Sequence, residues 1–521
     1  MGRHSEALAS FESAAACGAR SPAFLFNLAL TALKSSALNR AEVAFRELLS
    51  SHPDHIDGLI NLAAVLKKLD RDQDAEPLLR RVLSLAPDNA VALGNLAILL
   101  RDRDELSEAM VHVEHALRLR PEFTDALTTK ASILAAQHEI GGAIELYRRA
   151  VALEPQRAKA LSALSVVLHE SRAFAEAFDA NAKAIALDPA QAEPHFNRAM
   201  YLFAQGRLAE GWIEYDWRWR TPGVPARWRS FPQPLWRGGP IGSGKKLLIW
   251  AEQGVGDEIL YASLLPDLIQ THPGVVFECD PRLAPLFSRS FPSATIVRRS
   301  DPPDPVTLEA NISAQAPAAD LGRIFRPDLA SFPKRQSFLT PDPAQVHNFM
   351  ARLNFHGTVP VVGISWFSKN RGNERHKSSA LRDWAPILTQ AGCKFVDLQY
   401  DDTAADRHLV RQTFGVDVIH FDDIDLRQDL NQLAALITAC DLVITVCNTT
   451  AHMAAALGKP VWVMTSHERG RLWWTFLDRA DSPWYPTAKL FRQSREGDWH
   501  DPIAAIATQL ASQLANRLAN P

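Results

Sequence analysis

Two short stretches of the chain carry residue types, at a spacing, that could handle a phosphate, and a third carries acidic residues around a glycine turn. Residues 441–464 (DLVITVCNTTAHMAAALGKPVWVM) predict a buried strand, a tight turn, an Ala-rich helix and a second strand. Asn448, Thr449 and Thr450 then stand at the helix N-terminus, with two hydroxyls, an amide and free backbone N–H groups. The helix dipole there favours an anion by about 0.3–1 kcal/mol per charge. An N-cap that binds nothing would use the same letters. Residues 365–379 (SWFSKNRGNERHKSS) follow a predicted strand and carry Lys369, Arg371, Arg375 and Lys377, which could neutralise a departing pyrophosphate. A solvated basic loop is the plain alternative. Residues 252–258 (EQGVGDE) form a glycine-containing turn after a strand at 247–251, and Asp257 follows Gly256 at the start of a helix predicted over 257–270.

These stretches need strands to carry them. Apolar runs at 247–251, 275–279 and 294–297 predict a first Rossmann-like domain over 247–342. Runs at 360–366, 394–400, 416–421, 441–446 and 460–464 alternate with helical segments and predict a second over 343–521, ending in a strapping helix at 502–518. Ligands of such sheets sit beyond the carboxyl ends of the strands, so the 252–258 and 447–452 turns are expected to face a common cleft. Residues 221–246 form a Pro-, Gly-, Trp- and Arg-rich linker, packed through Trp228 and Trp236. Within it, Gly239 to Lys245 has the spacing of a P-loop. No strand precedes it, Lys246 replaces the expected Ser or Thr, and a strand rather than a helix follows, so an NTPase is rejected.

The N-terminal part, residues 1–220, is a repeat array. Prolines at 53, 87, 121, 155 and 189 keep a period of 34. Two small-residue ladders share it: Ala29, Ala63, Ala97, Ala131, Ser165 and Ala199, then Ala41, Ala75, Ala109, Ala143 and Ala177. This period predicts tetratricopeptide helical hairpins, with paired helices in close approach. By the same phase the chain begins at the second helix of a repeat, as an atypical cap or through a late start. The last hairpin, from about 192 to 220, is expected to dock on the next domain through Trp212, Tyr215 and Trp219. Asn27, Asn61, Asn95 and Asn197 share one position of the first helix, and Thr129 and Ala163 interrupt the row. Each Asn offers a donor and an acceptor, so the row could hold an extended peptide by its main chain. Asn before Leu-Ala suiting the hairpin is the alternative.

A net charge of -3 gives no electrostatic case for nucleic acid or an anionic membrane. No apolar run reaches the roughly 18 residues of a membrane span, and no basic stretch leads an apolar one at the N-terminus, so a soluble cytoplasmic protein is expected. The five cysteines are scattered without a C-x-x-C pair, and none of the seventeen histidines forms H-E-x-x-H. Asp423 and Asp425 spell the D-x-D of a metal-dependent transferase but precede a predicted helix at 426–439, where capping is simpler.

Tetratricopeptide repeats followed by paired Rossmann-like domains resemble the bacterial relatives of the O-GlcNAc transferases, which have a GT-B fold. AEQGVGDEILYASLLPDL is similar to the G-D-x-hydrophobic element of heptosyltransferases, and NTTAHMAAALGKPVWVM is similar to their x-x-H-x-x-A-A-L-x-x-P motif and to the H-T-T turn of O-GlcNAc transferases. The resemblance departs at Cys447, where heptosyltransferases often have Asp, and in the order of the His-Thr-Thr letters. It implies a glycosyltransferase using a nucleotide-sugar and no other cofactor, with Asp257 as base and Gly256, Lys377, Asn448, Thr449, Thr450 and His452 around the donor. It also implies a protein acceptor, flagellin or another surface protein, held along the Asn row. Asp257 would take a proton from a Ser or Thr hydroxyl as it attacks the anomeric carbon, with Glu252 and Glu258 as candidates for the same role and a helix N-cap as the structural alternative. The phosphate would leave on the opposite side toward the helix N-terminus and Lys377, with inversion and no metal required. A non-catalytic repeat scaffold and a heptosyltransferase-like glycolipid enzyme are the competing readings.

Overall fold

The computed structural model of the chain describes residues 2–519, apart from 225, 227, 354–358, 370–376 and 468–472. Arg371 and Arg375 therefore lie outside the described residues. The chain divides into two compact units, Met1–Pro189 and Ala190–Pro521.

The first unit is all helical: α1 (Gly2–Ala16), α2 (Pro22–Lys34), α3 (Leu38–Ser51), α4 (Ile56–Lys68), α5 (Asp72–Leu85), α6 (Ala90–Asp102), α7 (Leu106–Leu119), α8 (Thr124–Ala136), α9 (Ile140–Leu153), α10 (Ala158–Glu170) and α11 (Phe174–Leu187). From α2 onward they pair into hairpins, and each ladder proline stands just beyond the second helix. The small-residue positions of both ladders are buried, which lets the helices approach closely. Successive first helices α2, α4, α6, α8 and α10 pack on one another across repeats more closely than second helices do, so the first helices line the inner side of the curve.

Every hairpin turn also repeats a backbone feature. Ser36, Asp70, Asp104, His138 and Arg172 have φ between 57° and 66°. After each, a backbone N–H reaches back to close the first helix, as in Arg71 to Leu66 and Glu105 to Leu100, both 2.9 Å. A left-handed residue other than glycine carries about 1–2 kcal/mol of strain. Ser36→Gly is therefore expected to raise the denaturation midpoint of the array, by up to about 1 kcal/mol in stability. An unchanged or lower midpoint in denaturant would show that this position is not strained.

The second unit opens with α12 (Ala192–Ala204), α13 (Leu208–Glu214) and a 3-10 turn over Tyr215–Trp219. This is the last predicted hairpin, and Trp212 and Tyr215 do make a docking face. Trp212 is buried and donates to the Arg326 carbonyl at 2.9 Å. Its ring lies over Gly322, where an added Cβ would come within 2.2 Å. Trp236 of the linker is buried too, whereas Trp228 remains 48% exposed.

A four-stranded parallel sheet follows, β1 (Lys246–Trp250), β2 (Val275–Cys279), β3 (Thr295–Arg298) and β4 (Ile312–Pro317), in the order β3-β2-β1-β4. The seven-stranded second sheet contains β5 (Val361–Ser365), β6 (Lys394–Asp397), β7 (Val418–Ile419), β8 (Leu442–Val446), β9 (Val461–Thr465), β10 (Asp481–Ser482) and β11 (Tyr485–Arg492), in the order β10-β11-β9-β8-β5-β6-β7. Among the described residues, only the β10–β11 pair is antiparallel. Both sheets have the doubly wound order in which the first strand lies between the second and the fourth.

Several sequence expectations change. β4, β10 and β11 go unpredicted, and the 416–421 run shortens to the two residues of β7. The helix expected over 257–270 is α14 (Val255–Ala262) followed by a second helix, Leu265–Thr271, broken where Pro266 enters. The helix expected over 426–439 begins only at Leu430, capped by Asp429. The terminal helix His500–Ala519 buries Ile503, Ile506 and Leu510 in the cluster that contains β5, β8 and β9, so it packs along a face of the second sheet.

Candidate functional site

In each sheet the crossover direction reverses beside its first strand, between β1 and β4 and between β5 and β8. Loops leaving the carboxyl ends of such neighbours run apart and open a crevice. The turn after β1 and the loops after β5 and β8 meet around a cleft of about 460 Å³. Gly256, Asp257, Lys377, Asn448, Thr449, Thr450 and His452 all line it. Asp257 and the donor-side residues named by the resemblance thus reach one place.

Asp257 is not the N-cap of its helix. Gly254 holds that position, and Asp257 sits in the first turn, where its carboxylate accepts the backbone N–H groups of Gly254 and of Asp257 itself. Burial pushes its pKa from 3.8 up to about 6, against the pull of the Lys377 charge and those two donors. Its neighbours face elsewhere. Glu252 is buried and gripped by Arg218 at 2.9 and 3.0 Å. Glu258 is buried, accepts the Asp280 N–H at 2.7 Å and lies 2.9 Å from Arg299. Burial raises both to about 7, and neither borders the cleft. Of the three carboxylates, Asp257 alone lines the cleft.

Opposite it stands the N-terminus of the Thr449–Ala456 helix. Asn448 is its cap, and its amide is fully engaged: Oδ1 accepts the N–H groups of Thr450 (3.0 Å) and Ala451 (3.3 Å), while Nδ2 donates to Ser365 Oγ (2.7 Å) and the Phe367 carbonyl (3.1 Å). The amide therefore orients the helix and ties it to the loop after β5. It has no donor left for a ligand. The two threonines differ from it. Thr450 Oγ1 is buried with no hydrogen-bond partner among the described residues, and Thr449 lines the cleft at the first position of the helix. A buried hydroxyl left unpaired costs about 1–3 kcal/mol, a cost that a bound acceptor would remove.

Lys377 completes this wall. It is 3% exposed, and among the described residues no hydrogen bond or ion pair holds its ammonium. Burial lowers its pKa, while Cys447 and Asp257 act to raise it. Lys369 is more exposed and paired with Asp401 at 3.0 Å, which also holds Arg427 at 3.0 Å. His452 is buried, with Nδ1 2.8 Å from the Tyr485 hydroxyl, and burial drives its pKa to about 3. It is a neutral ring at physiological pH. The same ring packs on Gly256, where an added Cβ would meet Cδ2 at 3.1 Å. Glycine there lets the two helix starts approach.

The D-x-D letters serve the chain itself. Asp423 pairs with Arg352 at 2.6 Å, and Asp425 caps the N–H groups of Arg427 and Gln428. The Asn row is carried as expected on α2, α4 and α6, with Asn197 on α12 of the second unit. Asn61 donates to the Asp57 carbonyl at 2.8 Å, whereas the amides of Asn27 and Asn95 have no partner among the described residues. The residues interrupting the row face inward or stay partly covered: Thr129 is buried and donates to the Asp125 carbonyl at 2.8 Å. Sequence reading missed Arg282, Tyr400, Arg427 and the apolar wall of Leu426, Leu430 and Leu433. Arg282 and Tyr400 follow the carboxyl ends of β2 and β6, so the strand-end rule had the means to find them.

Comparison with known proteins bears on the repeats. Residues 89–120 and 128–192 match two family models, each described as a tetratricopeptide repeat. Over 332 residues the chain is 34% identical to Protein FlbA of Caulobacter vibrioides (strain ATCC 19089 / CIP 103742 / CB 15), a match covering 60% of this chain and 54% of that protein. The chain thus spans about half the length of this curated relative. Among solved structures, a tetratricopeptide repeat protein from Parabacteroides merdae ATCC 43184 is similar at 16% identity, covering 41% of this chain and 85% of that one with a TM-score of 0.36. YrrB, described as a TPR protein with an unusual peptide-binding site, is similar at 16% identity, covering 36% and 97%, with a TM-score of 0.27. No described helix is long and apolar enough to cross a membrane. A tetratricopeptide-repeat array joined to a parallel-sheet α/β region is the architecture of this chain.

Proposed function

We propose that the chain is a glycosyltransferase of the GT-B type, moving a sugar from a nucleotide-sugar to Ser or Thr of a protein held by the repeats. One observation carries the reading. Across a single cleft, a carboxylate with a pKa of about 6 faces a helix N-terminus with a buried hydroxyl and a buried ammonium beside it, neither of which has a partner among the described residues. That is an arrangement for removing a proton on one side while meeting developing phosphate charge on the other. Asp257 would accept the proton of the acceptor hydroxyl. The Thr449 and Thr450 hydroxyls, the helix amides and Lys377 would receive the leaving phosphate, and neutral His452 would offer a hydrogen bond without adding charge. The acceptor, flagellin or another surface protein, would meet the Asn27 and Asn95 amides, which have no partner among the described residues, on the inner helices. Reaction in the cytoplasm belongs to the same proposal.

Both family-model matches fall within the repeats, and they are equally compatible with one competing reading: a binding scaffold whose α/β part catalyses nothing. Calorimetry separates the two. UDP, CMP, ADP and GDP are titrated into the purified protein and into a Thr449→Ala/Thr450→Ala variant. Saturable binding of one nucleotide, weakened at least about tenfold in the variant, is expected, since each hydrogen bond to a charged phosphate contributes about 1.5–3 kcal/mol. Binding of none of the four would leave the scaffold as the better account.

A further inference from the structure

The last helical hairpin does more than dock on the α/β region. The turn that presents Asp257 runs from β1 through Glu252 and Gln253 to Gly254, whose N–H the Asp257 carboxylate accepts. Both Glu252 and Gln253 are held from outside this region, by residues of the 3-10 turn that ends the hairpin. Arg218 is 2% exposed. Its guanidinium grips Glu252 at 2.9 and 3.0 Å, bonds Asp320 at 2.8 Å and donates to the Tyr215 carbonyl at 3.2 Å. It also lies over the rings of Tyr215 and Trp219, at 4.7 and 4.2 Å from their centroids. The Tyr215 hydroxyl accepts Gln253 Nε2 at 2.8 Å and lies 3.3 Å from the Tyr261 hydroxyl on α14 itself.

From this geometry we infer that Arg218 and Tyr215 are positioning residues for Asp257, so that the final repeat hairpin is a structural part of the cleft. The physical reason is the fixed fork of arginine. Two parallel N–H groups set both the distance and the plane of the Glu252 carboxylate, and with it the strand-to-helix turn two residues before Gly254. A lysine would keep the charge and lose that plane. The inference rests on Asp257 being the working group of the cleft, but its deciding readout is the carboxylate itself, which needs no substrate.

The full chain is labelled with ¹³C at the aspartate carboxyl carbons, and the Asp257 signal is identified by its absence from an Asp257→Asn protein. In the wild type the carboxylate is surrounded by Lys377, Glu252 and the hydroxyls of Tyr261 and Tyr485. Burial is the largest influence on it. If the turn loosens, water reaches the carboxylate and its titration midpoint falls. Arg218→Lys is expected to move the midpoint down by about one pH unit or more, and Tyr215→Phe by a smaller amount in the same direction. Tyr215→Phe loses only a hydroxyl, so it decides the matter if Arg218→Lys does not fold. Folded variants with an unchanged Asp257 midpoint would make Arg218 and Tyr215 braces of the fold and overturn the inference. A shifted midpoint together with full turnover by Asp257→Asn would keep the positioning and remove the catalytic reading.

Discussion

An Asp257→Asn protein should bind nucleotide as the wild type does and lose about 10²–10⁴-fold in turnover, the range a positioned general base contributes. The amide keeps the shape and can still accept the Gly254 N–H, but it cannot take a proton. The sign of the stability change separates lost chemistry from a lost fold. The carboxyl pKa is raised on folding, from 3.8 to about 6. Its contribution to stability is therefore fully present below the unfolded value and is lost as pH rises through 6. At pH 7.5 the wild type carries the cost of a partly desolvated charge, and the variant should be at least as stable. The wild-type rate should rise with pH through a midpoint near 6 as Asp257 ionises. Full activity in the variant, or a flat rate between pH 5 and 7, would move the base elsewhere.

The second large effect is expected at Lys377. Its ammonium is buried with no partner among the described residues, an arrangement that burdens the empty protein and suits an anionic ligand. Lys377→Met is expected to raise the thermal midpoint of the ligand-free protein and to weaken nucleotide binding about 10–100-fold, the loss of one charge-assisted hydrogen bond of about 1.5–3 kcal/mol. Affinity for the matching nucleoside, which lacks phosphate, should be unchanged. The folded pKa of Lys377 is lowered from 10.5, so the stability penalty is present below that folded value and is relieved as pH rises toward 10.5. The advantage of the variant should therefore shrink in alkali. Equal loss of nucleoside and nucleotide affinity would assign Lys377 to the fold of the loop and not to phosphate.

The residues differ in how far the chain alone announced them. Proline and alanine ladders with a period of 34 are local rules repeated, each acting within one hairpin, so the paired helices of the array were legible. The strand, turn and helix around Asn448 to Thr450 were legible for the same reason: a β-branched run, a cap and a Gly-Pro stop are neighbours in sequence. β4 was not. ISAQAP has weak strand propensity, and it is a strand because β1 pairs with it on one side and the linker at Leu235 on the other, with Gln315 accepting the Trp250 indole at 2.6 Å. The left-handed turn residues escaped too, because Ser, Asp, His and Arg share a backbone angle there and no side-chain chemistry.

The choice among Glu252, Asp257 and Glu258 marks the same boundary. By type and spacing the three are interchangeable, and their sequence neighbourhood is common to all. Arg218 and Arg299 come from distant parts of the chain to engage two of them, and Lys377 and His452 arrive from the other sheet to enclose the third. Sequence by itself determined the repeats, the strand-end turns and the list of candidate groups, since these follow from patterns within a few residues. Only the tertiary structure decided which candidates are desolvated, paired or left without a partner, because burial and charge are set by whichever residues fold against a group, wherever they stand in the chain.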